Sequence, residues 1–564
     1  MIKKIGIENF RIFRELTEFE IAPITVLTGT NNSGKSSFLK MMNLLQQSVK
    51  DLNSLNVLNF ENGNHNLGSF ENTISWDSDK KDITIVFDFP LDYFDEDFKL
   101  ELVYRKMGEV GFIKSYKVFN ENRVLLSLDD IKFESDSNYK SFINTESIYD
   151  YYFSFDLEYI KKTIFEQKIK NGTISSDLMG KPEDFLFYTY LFNDEKDKIN
   201  LNETIKNKKG DFKNLREDLL MIESSVFAIR PSIDNYPIKN MNRDLFTESF
   251  NGTDEPLYFW KKNSNLGKYL SKLFKNDLLK NEGEDNVFDD LVSIEIDSDN
   301  LYFFKKIVVN NIQNTLDKLK YSMKNIDFLS AQRGNSDGEI KSIAKLFYSL
   351  QSDINNRFLI ESLELLKIKG ELIVERVLGR FTTVSLLQND KKTDIADLGY
   401  GYSQVIPILL KIVVSAHLHE TNKASIVDDA INESPSFTDH NDSLRPILNI
   451  EEPEANLHPN LQSKLADVFV LAYKTFGTHF ILETHSEYFI RKLQYLTAKK
   501  EITQDDAVIY YFNADECVSE EEPKVKKIKV GQFGGLTDNF GPGFVDEATS
   551  LKFDLMKLNE AQNN

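Results

Sequence analysis

The chain predicts an α/β fold split by a long, mainly helical insertion, on three observations. A glycine-rich loop, Gly29-Thr30-Asn31-Asn32-Ser33-Gly34-Lys35-Ser36, follows the apolar run Ile24-Thr25-Val26-Leu27 and precedes a helix-forming stretch from Ser37 to Gln47. Short apolar runs return after residue 326 and end in polar tips, Glu451-Glu452-Pro453-Glu454 and His485-Ser486. Between these blocks, from about 135 to 325, Tyr, Phe, Asn and Lys dominate, and breakers such as Asn171-Gly172, Gly180-Lys181-Pro182 and Asn251-Gly252 interrupt a patchy helical spacing.

Residues 1–134 form the first lobe. Ile2-Lys3-Lys4-Ile5-Gly6-Ile7 alternates as a strand and leads directly toward the glycine-rich loop, without the pattern of a signal peptide. A loop of this composition between strand and helix cradles phosphate, because glycine lets the backbone approach closely. The loop N–H groups and the helix N-terminus then aim positive partial charge at the anion. Asn31, Asn32, Ser33, Gly34 and Ser37 belong to this cradle, Lys35 is placed to reach the β/γ-phosphates, and the Ser36 hydroxyl to ligate Mg²⁺. Alternating runs at Ile83–Phe89, Phe98–Tyr104 and Gly111–Leu128, joined by short polar turns, predict an antiparallel meander.

After the insertion, residues 326–564 form the second lobe, beginning with Ile326-Asp327-Phe328-Leu329-Ser330. Two helices are expected before a strand at Arg380–Leu387. Asp397-Leu398-Gly399-Tyr400-Gly401-Tyr402-Ser403-Gln404 opens an apolar helix from Val405 to Ala416, a second anion-binding helix start. One subunit cannot easily aim two such termini at one triphosphate, whereas a dimer can. The polar stretch 417–446 is expected to be a mobile loop.

Pro446-Ile447-Leu448-Asn449-Ile450 then reads as a short buried strand whose end places Glu451 to hold Mg²⁺. Glu452, the next carboxylate, is placed to orient or deprotonate an attacking water. The following strand, Thr478–Thr484, brings His485 within reach of a γ-phosphate.

Composition sets limits on this reading. With 564 residues the chain has room for two or three domains. A net charge of −21 argues against a surface that binds nucleic acid everywhere, while leaving room for one basic groove. The single cysteine, Cys517, excludes an intramolecular disulfide and a Cys-rich zinc site, as expected of a cytoplasmic protein. No apolar run approaches the roughly 20 residues that span a bilayer, and no heptad pattern persists.

The order of these parts resembles the ABC-type ATPases of the SMC, RecF and OLD group: phosphate loop first, large insertion, Gly-Ser-Gln helix start, then Glu-Glu-Pro-Glu and Thr-His-Ser. Within it, several stretches resemble the OLD-like bacterial defence ATPases. These are Asn9-Phe10-Arg11, Leu67-Gly68-Ser69-Phe70, Leu329 to Gly334, Asp397 to Pro407, Glu451 to Pro459, and the tail Gly534-Gly535-Leu536 through Gly543-Phe544-Val545-Asp546-Glu547. The Septu-type ATPase, including its retron-associated form, is the nearest resemblance, covering about 1–130 and 326–564.

That resemblance implies an ABC-type P-loop ATPase with an antiparallel β subdomain, using ATP and Mg²⁺. It makes Glu452 the catalytic glutamate, His485 the switch histidine, and Ser36 and Glu451 the metal ligands. Arg11 would contact the nucleotide edge. Gly399, Gly401, Ser403 and Gln404 would form the signature that meets the partner subunit's ATP, with Asn456 and His458 in the interface loop. Two departures stand out: Glu451 occupies a position where the broader group usually has aspartate, and no glutamine can be assigned to the loop linking Mg²⁺ to the insertion, since Gln46 and Gln47 lie on the wrong element.

The implied partners are a homodimer or higher oligomer, an HNH-type nuclease and, for the retron form, a reverse transcriptase with its RNA–DNA product, so that nucleic acid is met through the complex and no membrane is involved. The roughly 80 residues after Thr484 are too few for a nuclease domain of the OLD type. The alternatives are a repair or chromosome clamp of the SMC or RecF kind and, less favoured by the long insertion, a transporter nucleotide-binding subunit.

Overall fold

The computed structural model describes residues 2–132, 149–155, 163, 311–433, 445–541, 551 and 554–555, apart from 53–54, 61–64, 66, 77, 90, 92–93, 95, 332–336, 351, 378–380 and 520–521. The chain divides into two compact units. One consists of Met1–Asn53, Asn59–Lys80 and Leu319–Asn564, the other of Ser54–Leu58 and Lys81–Lys318.

The first unit opens with a hairpin of β1 (Lys4–Glu8) and β2 (Thr17–Glu20), paired antiparallel. Next comes β3 (Ile24–Gly29), buried at every position, then the glycine-rich loop and α1 (Lys35–Leu52). The second unit is a meander: β5 (Ile83–Phe89) follows the short β4 (Val57–Leu58), and β6 (Phe98–Met107), β7 (Val110–Phe119), β8 (Val124–Lys132) and β9 (Tyr149–Phe155) each pair antiparallel with the strand before. β4 pairs with β7.

Two differences from the sequence reading appear here. The meander groups with the segment after it rather than with the phosphate-loop lobe, and β9 extends it past residue 134, where the insertion was expected to begin. The sequence Tyr149-Asp150-Tyr151-Tyr152-Phe153-Ser154-Phe155 is rich in aromatics that favour strands, but its weak alternation hides it among the surrounding Tyr and Phe. The expected helical character of 135–325 otherwise lies outside the described residues, save α2 (Asn311–Lys324) at its end.

The first unit then resumes with β10 (Ile326–Leu329), α3 (Asp337–Tyr348) and α4 (Asp353–Leu365). A three-stranded antiparallel sheet follows, made of β11 (Glu371–Val377), β12 (Phe381–Gln388) and β13 (Lys391–Asp394). The long helix α5 (Tyr400–Glu433) leads into β14 (Ile447–Glu451), α6 (Pro459–Phe476), β15 (His479–Glu483), α7 (Glu487–Ala498), β16 (Ala507–Phe512) and β17 (Val525–Lys529).

The helix α5 corrects the expectation of a mobile loop from 417, because it continues to Glu433. Ala424, Val427 and Ile431 keep a helical spacing through that polar stretch, and the first strong breaker is Ser434-Pro435. Residues 434–444 lie outside the described residues. Within α5, Gly401–Glu420 is long and apolar enough to cross a membrane by length and composition, contrary to the simple reading of apolar runs, but its apolar stretch is 67% buried inside the protein.

The central sheet runs β10-β14-β15-β3-β16-β17, parallel except for β17. Helices cover its core face: Val405, Leu409 and Val413 of α5, Phe469 of α6 and Phe489 of α7 pack with Leu448, Ile450, Phe480, Leu482 and Val26 of the strands, all fully or almost fully buried. Burying each such side chain contributes roughly 1.5–3 kcal/mol relative to exposure. The order of strands sets the site. With β3 flanked by β15 and β16, the phosphate loop opens at the carboxyl ends of parallel strands, where sheets of this kind bind ligands.

Candidate nucleotide site

Two glycines make the loop possible. Gly29 has φ 140°, and a Cβ there would lie 2.3 Å from the Phe512 carbonyl oxygen of β16. Gly34 has φ 95°, and a Cβ there would strike the Ile12 side chain at 2.4 Å. Asn32 also takes a positive φ of 60°, a region that asparagine tolerates better than most residues. Ser33 closes the turn by donating its hydroxyl to the Thr30 carbonyl at 2.8 Å, while Asn31 and Asn32 are exposed at the rim.

Lys35 folds back over the loop, its ammonium donating to the carbonyls of Thr30 (2.7 Å) and Gly29 (3.4 Å). Burial lowers its pKa, opposed by the nearby carboxylates of Glu483, Glu452 and Glu454. Ser36, next along α1, donates its hydroxyl to Glu483 Oε1 at 2.9 Å. Arg11 reaches the same helix start, donating to Ser37 Oγ at 3.1 Å from a backbone held at φ 53°. Its N–H is bonded to Thr73 O at 2.6 Å, which joins the Asn9–Arg11 turn to the segment after Leu67-Gly68-Ser69-Phe70.

The parallel register aligns Glu451 with Glu483 and Glu483 with Leu27, so two carboxylates stand side by side at the strand ends beside the loop. Burial raises the Glu483 pKa to about 7; the Ser36 hydroxyl and Lys35 oppose that shift, and Glu451 and Glu452 reinforce it. Glu452 turns out of the strand at φ 41° and is exposed. His485 is also exposed at the tip after β15; its pKa is lowered by desolvation and by Lys35, with Glu452 acting the other way.

Three bonds tie the turn after β15 to the loop after β14 and to the start of α6. Glu452 N–H donates to Glu483 O at 2.7 Å, His485 N–H donates to Glu454 Oε1 at 2.6 Å, and Ser486 Oγ donates to Gln462 Oε1 at 2.7 Å. Gln462 in turn donates to the Leu457 carbonyl at 2.9 Å. Ser486 also caps α7, accepting from Phe489 N–H at 3.1 Å, and His458 caps α6 by accepting from Asn460 N–H at 3.3 Å, with Pro459 at the first helical position. Asn456 takes φ 61° on the exposed rim.

The Gly-Ser-Gln start forms the first turn of α5. Gly399 is exposed, Ser403 and Gln404 are buried, and a Cβ on Gly401 would rest 3.6 Å from Leu457, so this helix start lies against the loop after β14.

Sequence reasoning assigned no role to Glu483, Glu454 or Gln462. A carboxylate closing the otherwise apolar strand His479-Phe480-Ile481-Leu482-Glu483 was the available signal. The doubt over Gln46 and Gln47 finds its physical reason in α1, where Gln46 donates to the Ile326 carbonyl and Gln47 to Asp51. The oxygens of Ser36 and Glu451 are hard donors that suit Mg²⁺, and beside them Glu483 Oε2 is buried with no hydrogen-bond partner.

Sheet order, phosphate loop and paired carboxylates define an ABC-type P-loop ATPase. The chain belongs to the AAA ATPase domain family AAA_15, whose profile matches residues 1–490. A second family, a protein of unknown function, DUF3696, matches residues 502–555, which include β16 and β17. No curated protein matches the chain.

Among solved structures, the Smc head bound to the C-winged helix domain of ScpA is similar at 11% identity and TM-score 0.32, covering 94% of this chain and 98% of that one. The Smc head domain with an extended coiled coil bound to the C-terminal domain of ScpA, derived from Pyrococcus furiosus, is similar at 10% and 0.32, covering 98% and 99%. The SMC head domain from Thermotoga maritima is similar at 9% and 0.31, covering 94% and 98%.

Proposed function

We propose that this ATPase closes as a dimer around two Mg²⁺-ATP and thereby controls a separate nuclease in bacterial antiphage defence, in the manner of Septu-type or retron-associated systems. Lys35, the loop N–H groups and Arg11 hold the nucleotide. Ser36 and Glu451 hold Mg²⁺, which neutralises charge on the phosphates. Glu452 orients and deprotonates the attacking water, and His485 stabilises the γ-phosphate as charge develops there. The signature at Gly399, Gly401, Ser403 and Gln404 meets the ATP held by the partner subunit.

The observation that carries the hydrolytic part of this reading is Glu452, turned out of β14 at φ 41° with its N–H fixed to Glu483. A strained, over-determined backbone at a strand end is where a reacting carboxylate is held ready. The exposed rim of Glu452, Asn456, His458 and His485 supports closure against a second copy. The assignment to defence rests on the sequence resemblance.

Expression together with the neighbouring gene products, in the cytoplasm where the complex is expected to act, tests the reading. A bound HNH nuclease whose cleavage changes with ATP supports it. ATP hydrolysis stimulated by DNA, with no nuclease bound, would favour the clamp of the SMC or RecF kind, and stable association with a membrane protein the transporter subunit.

A further inference from the structure

A serine hydroxyl carries one proton and two lone pairs. To ligate a cation through oxygen, Ser36 must send that proton elsewhere, or it will point at the metal. The structure supplies the acceptor. Ser36 Oγ donates to Glu483 Oε1 at 2.9 Å, across from β15 to the first turn of α1. The Glu483 side chain is held in place on both sides: its residue is 7% exposed, its backbone carbonyl takes the Glu452 N–H, and its register neighbour is Glu451.

A second observation is independent of the first. Glu483 Oε2 is buried with no hydrogen-bond partner, a costly arrangement for a carboxylate unless a ligand or ordered water completes it. Lys35 does not complete it, since the ammonium is bonded to the carbonyls of Gly29 and Thr30.

We propose that Glu483 is a positioning residue for the divalent cation: it takes the Ser36 proton in a hydrogen bond, leaves the Ser36 lone pairs for the metal, and keeps its second oxygen for the cation's hydration water. The inference rests on the reading of Ser36 as a metal ligand and adds a third carboxylate to Glu451 and Glu452, one that acts through Ser36 and does not touch the nucleotide. Groups behind metal ligands commonly contribute 10- to 100-fold to metal affinity.

The test uses the full chain loaded with ADP and measures Mn²⁺ binding by electron paramagnetic resonance, with ADP affinity in EDTA measured alongside by calorimetry. Glu483→Ala should weaken Mn²⁺ binding about 10- to 100-fold and leave ADP affinity in EDTA unchanged. Glu483→Gln, which keeps an acceptor for the hydroxyl and most of the packing, should recover part of that loss. Because one of its two contacts runs through Ser36, the pair Ser36→Ala with Glu483→Ala should lose less Mn²⁺ affinity than the product of the two single losses, as expected for coupled residues.

Wild-type Mn²⁺ affinity in Glu483→Ala would overturn the proposal, as would equal losses with and without metal, which mark a structural role. Multiplying losses in the double variant would show that Glu483 acts independently of Ser36. Unchanged Mn²⁺ affinity in Ser36→Ala would remove the metal-site reading as well, whereas a loss confined to Ser36→Ala removes only the role of Glu483. If Glu483→Ala fails to fold, wild-type Mn²⁺ binding by Glu483→Gln decides against the proposal and a several-fold loss decides for it.

Discussion

The Glu452 N–H donates to the Glu483 carbonyl oxygen at 2.7 Å, and Glu452 takes φ 41° as it does so. The bond ends the parallel ladder of β14 and β15 and turns the Glu452 side chain out of the sheet, while Glu451, one residue earlier, stays in register with Glu483. Adjacent carboxylates are thereby separated into different surroundings, one half-buried at the strand end and one exposed.

On the proposed roles, this separation implies a difference in function. Glu452→Gln keeps shape and hydrogen bonding but removes the base, so steady-state hydrolysis should slow by about 10²-fold or more while ATP binding survives. Phosphate release and nucleotide binding, measured on the same preparation, check this. If Glu451→Gln proves specific for hydrolysis and Glu452→Gln abolishes Mg²⁺-dependent binding, the two roles are exchanged.

Lys35 already sits over the loop, bonded to Thr30 O and Gly29 O. If Lys35 binds nucleotide as proposed, those carbonyl contacts give way to a charge-assisted bond to phosphate in a partly desolvated site, a stronger interaction. Lys35→Ala should therefore lose at least about 10-fold in ATP affinity, as expected for loss of a charged hydrogen bond worth roughly 1.5–3 kcal/mol. The variant should stay folded, because the hydrogen bonds of the ammonium among the described residues go to the loop carbonyls of Thr30 and Gly29 and not to another element. Calorimetry showing wild-type affinity in the folded variant would refute the assignment of the loop.

The local parts of the site were legible because each is continuous in sequence: the glycine-rich loop with its flanking strand and helix, and the strand ending in Glu451-Glu452. The fold class followed from their order. What escaped is non-local. Glu483 is bonded to Ser36, 447 positions away along the chain, and Glu454 to His485, 31 positions away. No periodicity reports such pairs. The true length of α5 was missed for a different reason, since a polar composition at 417–433 outweighed a helical spacing that the backbone follows.

At the opposite end of β15, burial, reinforced by Arg445, lowers the His479 pKa from 6.5 to about 4; its ring packs edge-on against Tyr473 at 5.8 Å. The folded state thus holds this imidazole neutral while the unfolded chain charges it. The contribution to stability is present above pH 6.5 and is lost as the pH falls through 4. Comparing urea unfolding at pH 7 and pH 4.5, wild type should lose about 2–3 kcal/mol more than His479→Gln, on the usual conversion of pKa shift to free energy. Identical losses in both proteins would show that His479 is not held neutral by burial.

The last prediction concerns closure. Ser403 lies in the first turn of α5, 9% exposed, two residues after Gly401, which faces Leu457 of the loop after β14. If this turn meets ATP on the partner subunit, a long cation there should obstruct the second copy without touching the nucleotide site of its own chain. An arginine can carry its charge outward along its stem, so Ser403→Arg should still fold and bind ATP as a monomer. Combined with Glu452→Gln, which is expected to block hydrolysis, it should fail to form the ATP-dependent dimer that Glu452→Gln alone is expected to show in sedimentation. Ser403→Ala, which fits the buried space, should keep the fold and weaken closure less. If a nuclease is bound as proposed, its output should change with Ser403→Arg although its own active site is intact. Normal regulation in a variant shown to have lost ATP-driven closure would eliminate closure as the controlling step, and ATP-driven dimerisation by Ser403→Arg would remove the signature from the interface.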